Sequence, residues 1–451
     1  MTIKILDPPV GGTVSAIASK SEAHRLLICA ALADEETFVG CPERSEDIEA
    51  TVNCLVAMGA VVSCCKNGYA VSPIQRARDS SSERAQVHAG LSVAVNQTFG
   101  ALASQPPTEL NCGESGSTLR FLLPVCGALG LNAAFHMGGR LPQRPLSSIC
   151  DEMESHGCVL HGSSPLICQG QLTSGLYTLP GNISSQFVSG LMLALPLLDG
   201  ESLISVKGTL ESRPYVEITL AALRLFGLSV IEESKQLFRV PGGQVFRSPK
   251  KTHAGGDWSN AAFWLSLGAF CQNGVTCTGL DLKSLQGDRA IVCLLERFGA
   301  NVSCEDSSVT VLPGELRGID IDAGDTPDLV PVLAAVASAA HGVTTIRNAG
   351  RLRIKESDRL STVTESLTDL GADIAQTEDG LTVRGKNRLT GGITNSFGDH
   401  RIAMAAAVLS AACAEPVTIC GAEAVRKSYP RFFDDFSAKL GGVYENKPEA
   451  E

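Results

Sequence analysis

Residues Ile354-Lys-Glu-Ser-Asp-Arg359 place two cations and two carboxylates within five consecutive positions, behind a basic approach made by Arg347, Arg351 and Arg353. Cations hold phosphates and carboxylates while a nearby acid supplies or removes a proton, so this mixture suits chemistry on anionic substrates. A solvated helix start with local ion pairs has the same composition. The rest of the chain decides between the two.

Related mixtures stand before other apolar helical runs. Lys20-Ser-Glu-Ala-His-Arg25 precedes Leu26 to Leu32, which sets Lys20, Ser21 and free backbone N–H groups at a positive helix start that favours phosphate. In Gly113-Glu-Ser-Gly-Ser-Thr-Leu-Arg120, Gly116 lets the backbone approach a ligand and Arg120 follows one turn inside. No lysine follows the second glycine, so this is not a Walker phosphate loop. Gly139-Arg-Leu-Pro-Gln-Arg-Pro145 carries Arg140 and Arg144 on a proline-stiffened loop, as an anion clamp would.

Gly181-Asn-Ile-Ser-Ser-Gln186 offers Ser184, Ser185 and the Gln186 amide to oxyanions or hydroxyls, although capping alone accounts for Ser184. Asp322-Ala-Gly-Asp-Thr-Pro-Asp328 precedes an apolar run from Leu329 to Ala340, so Asp328 is either a base or a favourable helix-start acid. Phe397-Gly-Asp-His-Arg401 heads Ile402 to Cys413, and Arg426-Lys-Ser-Tyr-Pro430 heads the last helix. Recurring phosphate-compatible helix starts predict helix dipoles that converge on one cleft.

The elements that must position these residues repeat. Gly59, Gly157, Gly227, Gly299, Gly371 and Gly441 each end an amphipathic helical pattern and open a strand-like one, at spacings of 98, 70, 72, 72 and 70 residues. The long first interval holds residues 75–110, read as a surface insertion. Six units, each a few strands and two helices, predict an α/β protein without a Rossmann fingerprint, three units per domain. The boundary is expected in Pro249 to Gly256, with a second crossing near Lys20. The expected domains are residues 21–254, and residues 1–20 with 255–451. A first strand over Thr2 to Ile17 pairing with the C-terminal half would give a two-stranded hinge.

With 451 residues, 44% hydrophobic and 19% charged, the chain is too long for one core. A net charge of -11 argues against nucleic-acid partners and requires a locally positive cleft for any anion. Met1 to Val10 lacks the pattern of a signal peptide, and no apolar stretch approaches the roughly 18 residues of a membrane span. Sixteen cysteines, among them Cys29, Cys126, Cys271, Cys293 and Cys413 in apolar segments, include no C-x-x-C pair; they predict reduced, buried thiols in a cytoplasmic protein. His156, Cys158 and His161 are read as packing residues, and no metal site is expected.

Taken together, Lys20-Ser21 with Arg25, Gly116 with Arg120, Arg144-Pro145, Ser184-Ser185-Gln186, Ser212 with Tyr215, Asp328, Lys355-Glu356 with Asp358-Arg359, Asp399-His400-Arg401 and Lys427 with Pro430 resemble, in type and order, the 5-enolpyruvylshikimate-3-phosphate synthase family of enolpyruvyl transferases. The resemblance spans essentially the whole chain. It implies a two-domain inverse α/β barrel of six βαβαββ units, with substrates in the cleft between domains. Phosphoenolpyruvate is expected at Lys20, Gly116, Arg144, Gln186, Arg359, Arg401 and Lys427. Shikimate 3-phosphate is expected at Lys20, Ser21, Arg25, Ser184, Ser185, Gln186, Ser212, Asp328 and Lys355, with Arg120, Tyr215, Arg351, Asp399 and His400 as further site residues.

The implied reaction adds the shikimate 5-hydroxyl, deprotonated by Asp328, to C2 of phosphoenolpyruvate while Glu356 protonates the methylene carbon; elimination then expels phosphate, with Lys20 and the arginines stabilising the charge. The resemblance implies no metal, no cofactor, no nucleic acid or membrane partner, and a monomer. Arg351 and Glu114 depart from it, because the family often has asparagine at both positions. Gly116 leaves room beside the expected phosphoenolpyruvate position; the response to glyphosate, the family's known inhibitor, depends on geometry finer than a motif.

Two other readings compete. UDP-N-acetylglucosamine enolpyruvyl transferase shares the architecture, but it usually carries a reactive cysteine after a Gly-Gly pair; here Gly138-Gly139 is followed by Arg140, and no cysteine lies between Cys126 and Cys150. A non-catalytic anion- or RNA-binding repeat protein would explain the cations. It would not need Asp328 and Glu356 beside them.

Overall fold

The computed structural model describes residues 1–75 and 106–447. Among them, strands form six four-stranded sheets of one pattern. Thr108–Asn111 runs parallel to Ala133–His136, which pairs antiparallel with Leu166–Gly170 and, through it, with Cys158–His161. Helices Gly116–Leu129 and Ser147–Ser155 connect these strands, which gives a βαβαββ unit. The architecture is the two-domain inverse α/β barrel, three such units in each half.

The two helices of a unit differ in what surrounds them. Lys20–Leu32, Gly116–Leu129, Ser185–Ala194, Trp258–Gly268, Val330–Ser338 and His400–Leu409 are buried nearly all round, with Leu27, Leu122, Leu191, Phe263, Val332 and Ala405 inaccessible to solvent. The second helix of each unit is amphipathic, and it ends where the sequence placed a cap. Backbone φ is positive at all six glycines: +102° at Gly59, +97° at Gly157, +77° at Gly227, +104° at Gly299, +99° at Gly371 and +80° at Gly441. A Cβ at such a position costs roughly 1–2 kcal/mol, so glycine is required by the turn into the next strand.

Three sheets borrow a strand from far along the chain. Lys251–His253 pairs parallel with Thr37–Gly40, Gly12–Ser15 pairs with Val275–Thr278, and Thr2–Asp7 lies between Val417–Cys420 and Val443–Lys447. The expected single strand over Thr2 to Ile17 is therefore two strands, interrupted at Pro8 and Pro9, which have no N–H for a ladder. Part of the stretch read as a polar joint, Lys251–His253, is a sheet strand. Two hydrophobic cores result, one built from residues 23–254 and the other from 3–17 with 258–440.

Residues 76–105 of the expected insertion lie outside the described residues; its end is not surface, because Thr108–Asn111 is a strand and Leu110 is fully buried. All sixteen cysteines are free thiols, but Cys64, Cys293 and Cys304 are exposed, against the expectation of burial; Cys293 lies on the outer face of Ile291–Phe298. His156 stacks on Tyr177 at 3.9 Å. No helix among the described residues is long and apolar enough to cross a membrane.

Candidate active site

A cleft lies between the two cores. The starts of several buried helices open into it: Lys20 and Ser21, Gly116 and Ser117, Ser185 and Gln186, and His400 and Arg401 line it from the first turns of their helices. Ser19 caps Lys20–Leu32, and Lys20 projects Nζ to Asp47 Oδ2 at 2.6 Å. Ser115 caps Gly116–Leu129, and Ser184 caps Ser185–Ala194 by accepting from Gln186 N–H at 3.3 Å. Capping and cleft lining are thus both true of Ser184.

One wall carries Ser21, Arg25, Gly116, Arg120, Arg144, Ser185 and Gln186. Gly116 is confined by two guanidiniums: an added Cβ would lie 2.6 Å from Arg120 Nη1 and 2.8 Å from Arg144 Nη1. Arg120 donates to Gln186 Oε1 at 3.1 Å, and Gln186 Nε2 donates to Ser117 Oγ at 2.9 Å, so the amide ties two helix starts together. Arg25 is held by Thr219 Oγ1 at 2.7 Å and Ser21 O at 2.6 Å, and burial lowers its pKa to about 10.

The facing wall carries Asp328, Lys355, Glu356, Arg359, His400 and Arg401. Arg359 begins the helix Arg359–Asp369, capped by Asp358, and is almost inaccessible. Its guanidinium donates to Asp328 Oδ1 at 2.8 Å, Glu356 Oε2 at 2.7 Å and Asp399 Oδ2 at 2.7 Å. Asp399 is fully buried, accepts from Ser357 Oγ and Arg401 N–H, and caps His400–Leu409. It holds Arg359 from behind and does not line the cleft. Asp358, between these residues in sequence, pairs with Arg353 instead.

Side chains also cross the cleft. Tyr215 OH donates to Asp328 Oδ2 at 2.9 Å. Ser212, at φ +52°, donates its N–H to Gly324 O at 3.1 Å and accepts at Oγ from Arg351, which also pairs with Glu211 at 2.6 Å. Lys427 Nζ pairs with Glu114 Oε2 at 2.6 Å and donates to Gly398 O at 2.7 Å.

Most residues singled out in the sequence meet in this cleft, with three displacements. Lys427 does not line it, since Glu114 and Gly398 draw the ammonium aside, and it ends the short helix Ala422–Lys427 rather than heading the last one. Asp399 lies beneath it. Arg140 is exposed on its loop, so Arg144 alone faces the cleft. Sequence reasoning missed Asp47, Ser117 and Glu211. Their partners lie 27 to 140 residues away, and only the place of Asp47 in the first turn of Glu46–Ala57 is a local signal.

Charge in the cleft is tightly organised. Burial pushes the Asp328 carboxyl up, but Arg401, Lys355 and Arg359 outweigh it and hold the group well below the usual carboxylate range. Glu356 behaves likewise: burial opposes ionisation, and Arg359, Arg144 and Lys355 overcome it. Burial lowers Lys355 to about 8. Burial, with Lys20, Arg401 and Arg359, pushes His400 well below its usual value, so its ring is neutral; neither ring nitrogen has a hydrogen-bond partner among the described residues. The cleft thus presents two ionised carboxylates inside an excess of cations, an arrangement that attracts anions and can pass protons between them.

The family described as EPSP synthase (3-phosphoshikimate 1-carboxyvinyltransferase) matches residues 7–107 and 83–436. A protein of Clostridium kluyveri named 3-phosphoshikimate 1-carboxyvinyltransferase is 42% identical over 434 residues, 96% of this chain and 95% of that protein. Its namesake from Clostridium acetobutylicum is 40% identical over 451 residues, 98% of each. Among solved structures, EPSP synthase from Acinetobacter baumannii superposes with a TM-score of 0.77 over 99% of this chain and all of that one, at 23% identity, which speaks for the fold. The chain belongs to the EPSP synthase (3-phosphoshikimate 1-carboxyvinyltransferase) family.

Proposed function

We infer that the chain transfers the enolpyruvyl group of phosphoenolpyruvate to the 5-hydroxyl of shikimate 3-phosphate and releases phosphate, a step of aromatic amino acid biosynthesis. The observation that carries this reading is one cleft in which Lys20, Arg120, Arg144, Lys355, Arg359 and Arg401 surround the carboxylates Asp328 and Glu356. Two anionic substrates need such an excess of cations, and proton transfer at two centres needs two carboxyls.

In the addition step Asp328 takes the 5-hydroxyl proton, the oxygen attacks C2 of phosphoenolpyruvate, and protonated Glu356 gives its proton to C3. In the elimination step Glu356 recovers a proton from the new methyl group, the C2–oxygen bond to phosphate breaks, and phosphate leaves with the proton held by Asp328. Lys20 and the arginines stabilise the tetrahedral intermediate. The surrounding cations hold Glu356 ionised. Anions that take up Arg359, Arg144 and Lys355 remove the charges that depress it, so its pKa rises as substrates bind and it gains the proton it must give.

Phosphoenolpyruvate is assigned to Lys20, Gly116, Arg144, Gln186, Arg359 and Arg401. Lys427 joins them only if the phosphate draws it from Glu114. Shikimate 3-phosphate is assigned to Ser21, Arg25, Ser184, Ser185, Ser212 and Lys355, with Lys20, Gln186 and Asp328 shared. We divide the chain into domains 21–254 and 1–20 with 255–451, and read it as a cytoplasmic monomer, for which the free thiols suit a reducing compartment. The test is phosphate release from phosphoenolpyruvate with either shikimate 3-phosphate or UDP-N-acetylglucosamine added. Release with the first alone is expected; release with the second alone would transfer the assignment to the sister enzyme, which nothing in the cleft favours.

A further inference from the structure

The chain passes between the two cores twice, at residues 17–20 and 254–257, and the two crossings lie side by side. Ser19 N–H donates to Gly255 O at 2.7 Å and Asp257 N–H to Ile17 O at 2.8 Å, on either side of an antiparallel bridge between Ala18 and Gly256. Two short crossings of this kind form an axis about which the halves can turn.

Side chains reach across that axis: Asp257 accepts from Lys20 N–H at 3.1 Å, and Glu22 crosses in the other direction. Glu22, in the first turn of Lys20–Leu32, accepts from Gly255 N–H with Oε2 at 2.8 Å and from Gln286 Nε2 with Oε1 at 2.9 Å. Gln286 is itself fixed to the second core: only 7% exposed, it accepts from Trp258 N–H at 3.0 Å and reaches Gly256 O at 2.9 Å. A helix-start acid serving only the dipole would leave its oxygens in water. Ser19 already caps this helix, so both Glu22 oxygens are committed to the crossing and to the other core. Glu22 borders a separate hollow on the hinge side, with Gly255, Gly256 and Gln286, and does not line the substrate cleft.

We propose that Glu22 is a positioning residue, a clasp that holds the two cores in their present arrangement and so fixes Lys20, two residues before it, beside Asp47 at the cleft. This rests on reading the cleft as a site for two substrates. A substrate contact would serve one ligand. A clasp sets the population of the binding-competent arrangement, and so multiplies the apparent affinity for both by the same factor.

The full chain and its Glu22→Ala and Glu22→Gln variants are compared by steady-state kinetics in each substrate and by ligand-free small-angle scattering. Glu22→Ala is expected to raise KM for both substrates by a common factor of roughly 10, with kcat within about twofold of the unaltered chain and a larger radius of gyration. Glu22→Gln sets an amide NH2 against one of two donors and is expected to give a smaller rise in the same ratio; it decides the matter if the alanine variant does not fold. Unchanged scattering, unchanged KM, or a rise confined to one substrate overturns the proposal. If the unaltered chain turns over neither substrate, the functional reading falls instead, and scattering still judges the clasp.

Discussion

Tyr215 and Asp328 come from opposite cores and meet across the cleft, the phenol donating to Asp328 Oδ2 at 2.9 Å. With Arg359 on Oδ1 at 2.8 Å and Arg401 3.2 Å from Oδ2, the carboxylate is fully partnered and a weak base. A substrate hydroxyl that replaces the Tyr215 phenol would both free and use it. Asp328→Asn keeps the shape but removes the charge, and turnover should fall about 10²- to 10⁴-fold. A kcat within tenfold of the unaltered enzyme would take Asp328 out of the proton transfer.

Lys355 titrates near 8 because it is buried among cations. Below that pH it is an ammonium, above it a neutral amine, so kcat/KM for shikimate 3-phosphate should fall as pH rises through about 8. Lys355→Arg stays charged throughout. Its profile should lose the alkaline limb even if its maximum is lower; the same limb in both proteins would assign it to another group.

Gly116→Ala would drive a methyl group between Arg120 and Arg144, at 2.6 and 2.8 Å from their Nη1 atoms. The guanidiniums must yield, and small displacements at such a site cost up to about 10²-fold. KM for phosphoenolpyruvate should rise at least roughly tenfold, with shikimate 3-phosphate binding and melting temperature little changed. Equal losses for both substrates would indicate a general distortion.

Asp399→Ala leaves Arg359 buried without its rear partner and removes the cap of His400–Leu409. Breaking such a buried pair costs about 3–5 kcal/mol. Urea denaturation should show a loss of that order. A loss under roughly 1 kcal/mol would mean that the arginine relaxes onto Asp328 and Glu356.

The six cap glycines were legible because a left-handed helix end is a local demand, met by one residue type. Helix starts were legible for the same reason: Ser184 does cap, and Lys20, Gly116 and Gln186 do reach the cleft. What stayed hidden is set by tertiary partners. Glu114 captures Lys427 from 313 positions away, and Lys251–His253 reads as a polar joint but completes a sheet begun at Thr37. No periodicity or spacing encodes such pairings.

The most direct test of proton transfer inside this cationic cleft is turnover by Glu356→Gln, measured as phosphate released with shikimate 3-phosphate and phosphoenolpyruvate saturating, beside calorimetric binding of each. The glutamine keeps the contact with Arg359 and has no titratable proton. The account predicts binding of both substrates with turnover reduced about 10²- to 10⁴-fold. Turnover within tenfold of the unaltered enzyme would contradict it.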